Sequence, residues 1–304
     1  MALSSLNPSR APQRAAGGPV PAVTEEPPPG SKGPGKESGL REVIRLLIQH
    51  RGLTWELAKR EFTDRHVASF FGAWWAVGQP LFLMGLYLFV FAFVLKTRIG
   101  GTEELPLDYP TYLLSGLIPW MAVQESMNKS CSSVVNNPGL VKQVVFPLEI
   151  LPIKGALASL VTQGFASAIL IGYVLFSQGG VWWTYSLLPA VMLLQFLTMI
   201  GMGSALAALT VYVRDLKEVV QVVGLAGAYV TPIFYLPEWV PPFFQPLLYL
   251  NPFSYLVWVY QDVLYFGRIE HPWAWAIFSV FAVASFALGA RLFRKLQRSF
   301  GSVV

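Results

Sequence analysis

YSLLPAVMLLQFLTMIGMGSALAALTVYV, residues 185–213, contains no Asp, Glu, Lys or Arg and ends abruptly at Arg214-Asp215-Leu216-Lys217-Glu218. A helix rises about 1.5 Å per residue, so about 20 residues cross the ~30 Å hydrocarbon layer of a bilayer. A surface helix of a soluble protein would carry charge along one face, and this run carries none. It reads as a transmembrane helix stopped by a charged turn.

The same pattern recurs on both sides of this segment. Apolar runs near bilayer length cover about Trp74–Leu95, Tyr112–Val134 and Ile153–Phe176 before it. Two more cover about Val219–Tyr235 and Trp273–Phe293 after it. The chain of 304 residues is 54% hydrophobic and 13% charged, about half the charge usual in a soluble domain. The fold class is therefore all-α integral membrane, with six transmembrane helices. Residues 236–272 break the pattern, because Pro237, Pro241, Pro242, Pro246 and Pro252 interrupt an apolar, aromatic stretch. Short re-entrant helices fit this stretch, provided that protein covers their backbone.

Orientation follows from the excess of Lys and Arg in cytoplasmic loops. Six spans with both termini inside place 19 of the 22 Lys and Arg on the inner side, leaving Lys96, Arg98 and Arg268 outside. Both termini are expected in the cytoplasm. The same topology accounts for the basic pI near 9.3, so nucleic acid is not an expected partner. Cys131 is the only cysteine and excludes an intrachain disulfide. His50, His66 and His271 lie far apart in sequence, with no metal-ligand spacing. No cluster of acid, His or metal-binding residues stands at a membrane edge, so no catalytic residues and no metal are expected.

Residues 1–39 are rich in Pro, Gly, Ser and Ala, lack apolar periodicity, and are expected to form a disordered cytoplasmic tail. No apolar run marks a secretory leader there. Gly30, Gly35 and Lys36 match the opening of a phosphate-loop pattern. Glu37 stands where Ser or Thr should meet magnesium, Pro34 sits inside the loop, and no strand precedes it. This is a chance match, and the chain is not expected to bind ATP itself. Residues 40–66 form an amphipathic helical region, with Leu40, Val43, Ile44, Leu47, Ile48 and Leu57 among Arg41, Arg45, Arg51, Lys59 and Arg60. Gly52 is expected to break or bend it. Such a helix suits the headgroup level of a membrane, or alternatively a surface of a partner. Residues 67–304 form the transmembrane domain.

Polar residues within this domain leave several readings open. Asn136, Asn137 and Pro138 start a turn, and LVKQVV can make one or two helical turns before Phe146 and Pro147 end it. This is either a short docking helix for a partner or an ordinary turn between spans. Glu125 and Lys129 are spaced for an i,i+4 pair, which either lines a pathway or stabilises the helix. Arg214-Asp215 stands at the end of the fourth span, where mutual pairing at a tight turn is the simpler account. Ten Trp, 12 Tyr and 21 Phe supply interface belts and packing, and some could stack on sugar rings.

Four stretches act together here: REFTDRHVASFFGAWWAVGQP (60–80), NNPGLVKQVVFPLEILP (136–152), YVRDL (212–216), and TPIFYLPEWVP (231–241) followed by LNPFSYLVWVYQDVLYFG (250–267). In the first, Arg60, Arg65, Ser69, Gly72, Trp75 and Pro80 carry the pattern; in the second, Asn137, Leu140, Lys142, Phe146, Pro147 and Pro152 do. In this order the chain resembles the permease subunits of type-2 ABC exporters, in the branch that exports lipid-linked polysaccharides such as O-antigen, capsule and teichoic acid. The resemblance covers roughly residues 40–296. His66 and Gln261 depart from it, since many members carry an aromatic and an arginine there.

The resemblance implies a homodimer in the bacterial inner membrane with two nucleotide-binding ATPase subunits, which would carry the ATP and magnesium; this chain would bind no cofactor. It implies a coupling helix that contacts the ATPase through Asn137, Leu140, Val141, Lys142, Phe146 and Pro147. Residues about 41–58 would be an N-terminal interface helix. An outer gate would include Tyr235, Trp239, Phe243 and Tyr249, and Arg214 and Asp215 would form a gating turn. The substrate would be a polyprenyl-pyrophosphate-linked glycan. Arg41, Arg45, Arg60 and Arg65 are candidates for its pyrophosphate, because Arg pairs with phosphate bidentately; anchoring to anionic lipid is the other account of them. The alternative function is a type-2 ABC permease for drugs or small lipids.

Overall fold

The computed structural model describes residues 51–67, 78, 82, 85–87, 89–94, 107–141, 147–179 and 182–303. The chain divides into residues 1–37 and 38–304, and all described residues belong to the second unit. The expected tail, the phosphate-loop match and most of the first expected span lie outside the described residues.

Among the described residues the fold is all-helical. The helices are α1 (Arg51–Val67), α2 (Tyr109–Ser133), α3 (Pro138–Val141), α4 (Ile150–Gln178), α5 (Leu188–Thr210) and α6 (Leu216–Val230). They continue with α7 (Gln245–Leu250), α8 (Pro252–Gln261), α9 (Pro272–Gln297) and α10 (Phe300–Val303). A π-helical turn, Phe89–Val94, precedes α2, and another, Asp262–Phe266, follows α8. A 3-10 turn, Trp183–Leu187, runs into α5. Proline punctuates the starts: Pro110, Pro189, Pro246, Pro252 and Pro272 each stand in a first turn, where a missing N–H costs nothing. Gly179 ends α4 in the left-handed region (φ 69) and donates its N–H to Leu175 O at 3.0 Å, the usual glycine stop.

Among the described residues, three helical stretches are long and apolar enough to cross a membrane: Ile150–Ser177, Trp183–Thr210 and Pro272–Gln297. They sit within a few residues of the third, fourth and sixth expected runs, and α2 overlies the second. The fifth run differs. Its helix, α6, has 15 residues, about 22 Å at the usual rise. Proline disfavours helical geometry in the residue before it, and Thr231, just ahead of Pro232, is extended (φ −92, ψ 153).

At the centre stands α2, packed against α4, α5, α6 and α8. Its side chains Tyr112, Leu113, Leu114, Leu117, Trp120 and Val123 lie in one continuous core with residues of α4, α5, α8 and α9. A second, smaller cluster gathers Val134, Leu148, Leu151, Ala207, Ala208, Val211, Phe293 and Phe300 at the end where α2, α5 and α9 finish. The closest pairing is α5 on α9. A Cβ on Gly201 would meet the backbone of Ser285 at 2.3 Å, and one on Gly289 would meet Gly201 O at 1.9 Å. Small residues let membrane helices approach backbone to backbone, where packing rather than hydrophobicity drives association.

Helix α1 is polar overall and docks on α4 through a narrow face. Thr54 and Ala58 are buried, and Glu61 Oε2 lies 3.0 Å from Lys154 Nζ of α4. Gly52 is itself helical. Residues 40–50, which hold most of the expected apolar stripe, lie outside the described residues.

Gly289→Ala should destabilise the fold by about 1–3 kcal/mol, the usual range for overpacking. Gly172→Ala, where the new Cβ meets nothing within 4 Å, should be neutral or stabilise by up to about 1 kcal/mol. Denaturant unfolding of both variants in detergent tests the contrast.

Candidate functional site

The candidate site is the broken region that follows α6, together with the polar residues that hold it. Once the helix stops at Val230, the carbonyls of Pro232, Phe234 and Tyr235 accept no backbone N–H among the described residues. Side chains of α2 and α8 supply donors. Tyr112 Oη shares its proton between Pro232 O and Tyr235 O, 3.2 Å from each. Tyr109 Oη donates to Phe234 O at 2.6 Å, and Gln261 Nε2 donates to Pro232 O at 3.0 Å. Tyr265 Oη donates back to Leu107 O at 3.0 Å, which fixes the entry of α2 against the turn after α8. Gln261 is thus spent on a backbone carbonyl, and its Oε1 is buried without a partner among the described residues.

Deeper in the bundle, Gln163 of α4, Gln195 of α5 and Tyr260 of α8 form a closed polar hub. The two amides exchange hydrogen bonds: Gln163 Nε2 donates to Gln195 Oε1 at 2.9 Å, and Gln195 Nε2 to Gln163 Oε1 at 2.8 Å. Tyr260 Oη accepts from Gln163 Nε2 at 2.8 Å and donates to Gln195 Oε1. Gln195 Nε2 also reaches Pro119 O of α2 at 3.1 Å. All three side chains are buried. Four helices meet in this one network, which therefore sets their relative register.

The second strap is Asp262, fully buried at the start of the π-helical turn. Its carboxylate accepts from His271 N at 3.0 Å and Trp275 Nε1 at 3.0 Å, and lies 2.8 Å from His271 Nδ1. Trp258, Phe266 and Trp273 surround the imidazole, with ring centroids 5.8–5.9 Å away. A buried carboxylate is costly unless paired, and here it pins the start of α9 to the end of α8.

The expected site residues fall as follows. Tyr249 packs against Trp258 and Trp273, and Tyr235 Oη donates to Tyr229 O at 3.0 Å. Trp239 and Phe243 are exposed, and no ring contact joins any two of these four among the described residues. Asn137 opens α3: its carbonyl accepts from Leu140 N and Val141 N, and its Nδ2 donates to Ser133 O at 2.8 Å. Leu140 and Val141 pack against the smaller core cluster, and Pro147 O accepts from Ile150 N at 3.1 Å. Lys142, Phe146, Arg41 and Arg45 lie outside the described residues, as does the side chain of Arg65; Arg60 is exposed. Arg214 and Asp215 are both exposed, and no ion pair joins them among the described residues. Glu125 and Lys129 do pair, at 3.0 Å.

Sequence reasoning missed Gln163, Gln195, Tyr260 and Asp262. The signal was present, since each is a polar group within an apolar run and must find a partner inside the protein. Gln195→Leu leaves the amide of Gln163 and the hydroxyl of Tyr260 under-satisfied and should cost about 1–3 kcal/mol, read as a lower unfolding midpoint in detergent.

Known proteins of similar sequence cover three quarters or more of this chain. The chain is 28% identical over 231 residues to the O-antigen export system permease protein RfbA of Myxococcus xanthus, spanning 75% of this chain and 85% of that protein. It is 23% identical over 254 residues to an RfbA of Klebsiella pneumoniae, spanning 82% and 93%. It is 20% identical over 243 residues to the polysialic acid transport protein KpsM of Escherichia coli, spanning 79% and 92%. The ABC-2 type transporter family matches residues 52–265, from α1 through the turn that holds Asp262, and the chain belongs to that family.

Proposed function

We propose that this chain is the membrane permease of an ABC exporter that moves a lipid-linked polysaccharide, of the O-antigen or capsule kind, across the bacterial inner membrane. The observation that carries this reading is coverage: the alignment to permeases named for O-antigen export spans 85–93% of their length. ATP hydrolysis belongs to a separate nucleotide-binding subunit, two copies of which serve a homodimer of this chain. Six spans place both termini in the cytoplasm, with residues about 41–58 as the interface helix at the headgroup level.

Several structural features support the assignment of parts. Helix α3 lies between α2 and α4 at the end of the bundle that carries Arg214, Lys217, Arg294 and Lys295. With residues 142–146 it forms the coupling segment, through Asn137, Leu140, Val141, Lys142, Phe146 and Pro147. Helix α6 turns an apolar face outward, with Val222, Leu225 and Tyr229 each about two thirds exposed (67%, 66% and 65%), and a second copy of the chain would cover it. The broken region with α7 and α8, including Tyr235, Trp239, Phe243 and Tyr249, forms the outer gate. ATP binding by the partner moves the coupling segment, and that motion, transmitted through the turn at Arg214 and Asp215, shifts α6 across the dimer axis. A switch of this kind requires contacts that differ between its two states.

Two outcomes test the reading. The Leu140→Glu, Phe146→Glu variant should still insert into the membrane, while ATP hydrolysis by the co-purified partner loses its coupling to this chain; unchanged stimulated hydrolysis rejects the docking role. Arg60→Gln with Arg65→Gln should block loading of long lipid-linked glycans, seen as glycan accumulating inside cells. Normal export in that double variant discards the pyrophosphate role of these arginines, and normal glycan export without this chain discards the exporter.

A further inference from the structure

A cavity of about 450 Å³ opens between α1, the last turns of α2 and the first turn of α4, and the function above makes no use of it. Lys129 and Asn128 of α2, Lys154 of α4, Lys217 of α6, Glu61 of α1 and Asn136 line its walls. Leu151 is the one bulky apolar side chain there. Three lysines from three separate helices therefore line one cavity. Like charges in one neighbourhood repel, so the arrangement favours anions beside them.

The protein supplies part of that balance. Lys129 Nζ lies 3.0 Å from Glu125 Oε1, and Lys154 Nζ lies 3.0 Å from Glu61 Oε2. Lys217 has no carboxylate partner among the described residues. Of the three lysines, exposed Lys217 is therefore the one without an ion pair among the described residues. An ammonium carries three donors, so Lys129 and Lys154 each keep two after bonding their glutamates, and the amides of Asn128 and Asn136 add more. The α2 helix ends at the cavity and α4 begins there, so their opposite dipole poles largely offset each other, and the ammonium groups decide the sign.

This donor set fits a compact, acceptor-rich anion. A metal cation meets the wrong charge, and a neutral sugar gives no reason for three lysines in one cavity. Phosphate suits them, since Lys binds it as a point charge. The cavity lies at the helix ends that carry Arg214 and Lys217, the headgroup level of the inner leaflet in the exporter reading. We propose that it holds the phosphate of a membrane lipid, with Lys129, Lys154 and Lys217 as ligands. Two lipids share this chemistry: an ordinary anionic phospholipid, and the diphosphate of a polyprenyl carrier. Only the second rests on the exporter reading.

The test is lipid retention by the purified full chain in detergent, read by native mass spectrometry. Three probes are added in parallel: phosphatidylglycerol, undecaprenyl diphosphate and zwitterionic phosphatidylcholine. The wild type should retain at least one of the two anionic lipids about tenfold over phosphatidylcholine, and whichever is retained names the source. Lys217→Gln with Asn136→Asp removes a cation and adds an anion while touching no ion pair. It should lose about tenfold in that preference, since a basic residue near the surface contributes about fivefold or more. Lys217→Gln alone, which should lose about fivefold on the same basis, serves if the double variant fails to fold. A wild type without preference, or a folded variant that matches it, overturns the site. Retention needs neither ATP nor glycan, so lost export with intact retention counts against the exporter reading alone. Intact export with equal retention in wild type and variant counts against this site alone.

Discussion

A backbone carbonyl buried away from water must find a donor within the protein, because an unpaired group there costs several kcal/mol. The stop at Val230 creates several such carbonyls at once, and Tyr109, Tyr112 and Gln261 answer them. From that requirement much of the architecture follows. Two of the donors sit on α2 and the third on α8, so both helices must lie against the broken segment. Tyr265 then closes the ring by bonding the chain just ahead of α2. The irregular backbone is possible only because α2 is central and encircled.

Polar and steric contacts divide the rest of the work. Lipid tails are as apolar as leucine, so burying leucine between helices gains little in a bilayer. Hydrogen bonds between membrane helices average about 0.6 kcal/mol and reach about 1.7. The Gln163–Gln195–Tyr260 hub therefore adds a few kcal/mol in total, modest beside the many dispersion contacts of a close-packed core. Its larger effect is on specificity. Sliding α5 by one residue against α4 or α8 would break every bond in the hub, whereas most leucine contacts would simply exchange partners.

The long apolar helices were legible in the sequence because bilayer length and absence of charge are local properties. Helix α4, Ile150–Gln178, and α9, Pro272–Gln297, overrun the expected Ile153–Phe176 and Trp273–Phe293 by only a few residues at each end. The fifth run was read too long because Thr231–Tyr235 is apolar enough to continue it, while Pro232 decides the backbone. The Glu125–Lys129 pair was legible from its spacing. The hub was not, since Gln163 and Tyr260 lie 97 residues apart and nothing local joins them. Asp262 was overlooked within an aromatic run, although a carboxylate there demanded partners. Lys142 and Phe146 of the proposed coupling segment, and Arg41 and Arg45 upstream, lie among residues that the structure does not describe.

The contact of Gly201 with Gly289 has a consequence for observing this protein at work. Where two backbones touch, neither can translate past the other without driving a neighbouring side chain into a peptide group. Helices α5 and α9 therefore travel as one strut. Spectroscopic labels placed on the outward residues of that strut, Leu193 or Leu288, would give an internal frame of reference against which displacements of every other helix could be measured.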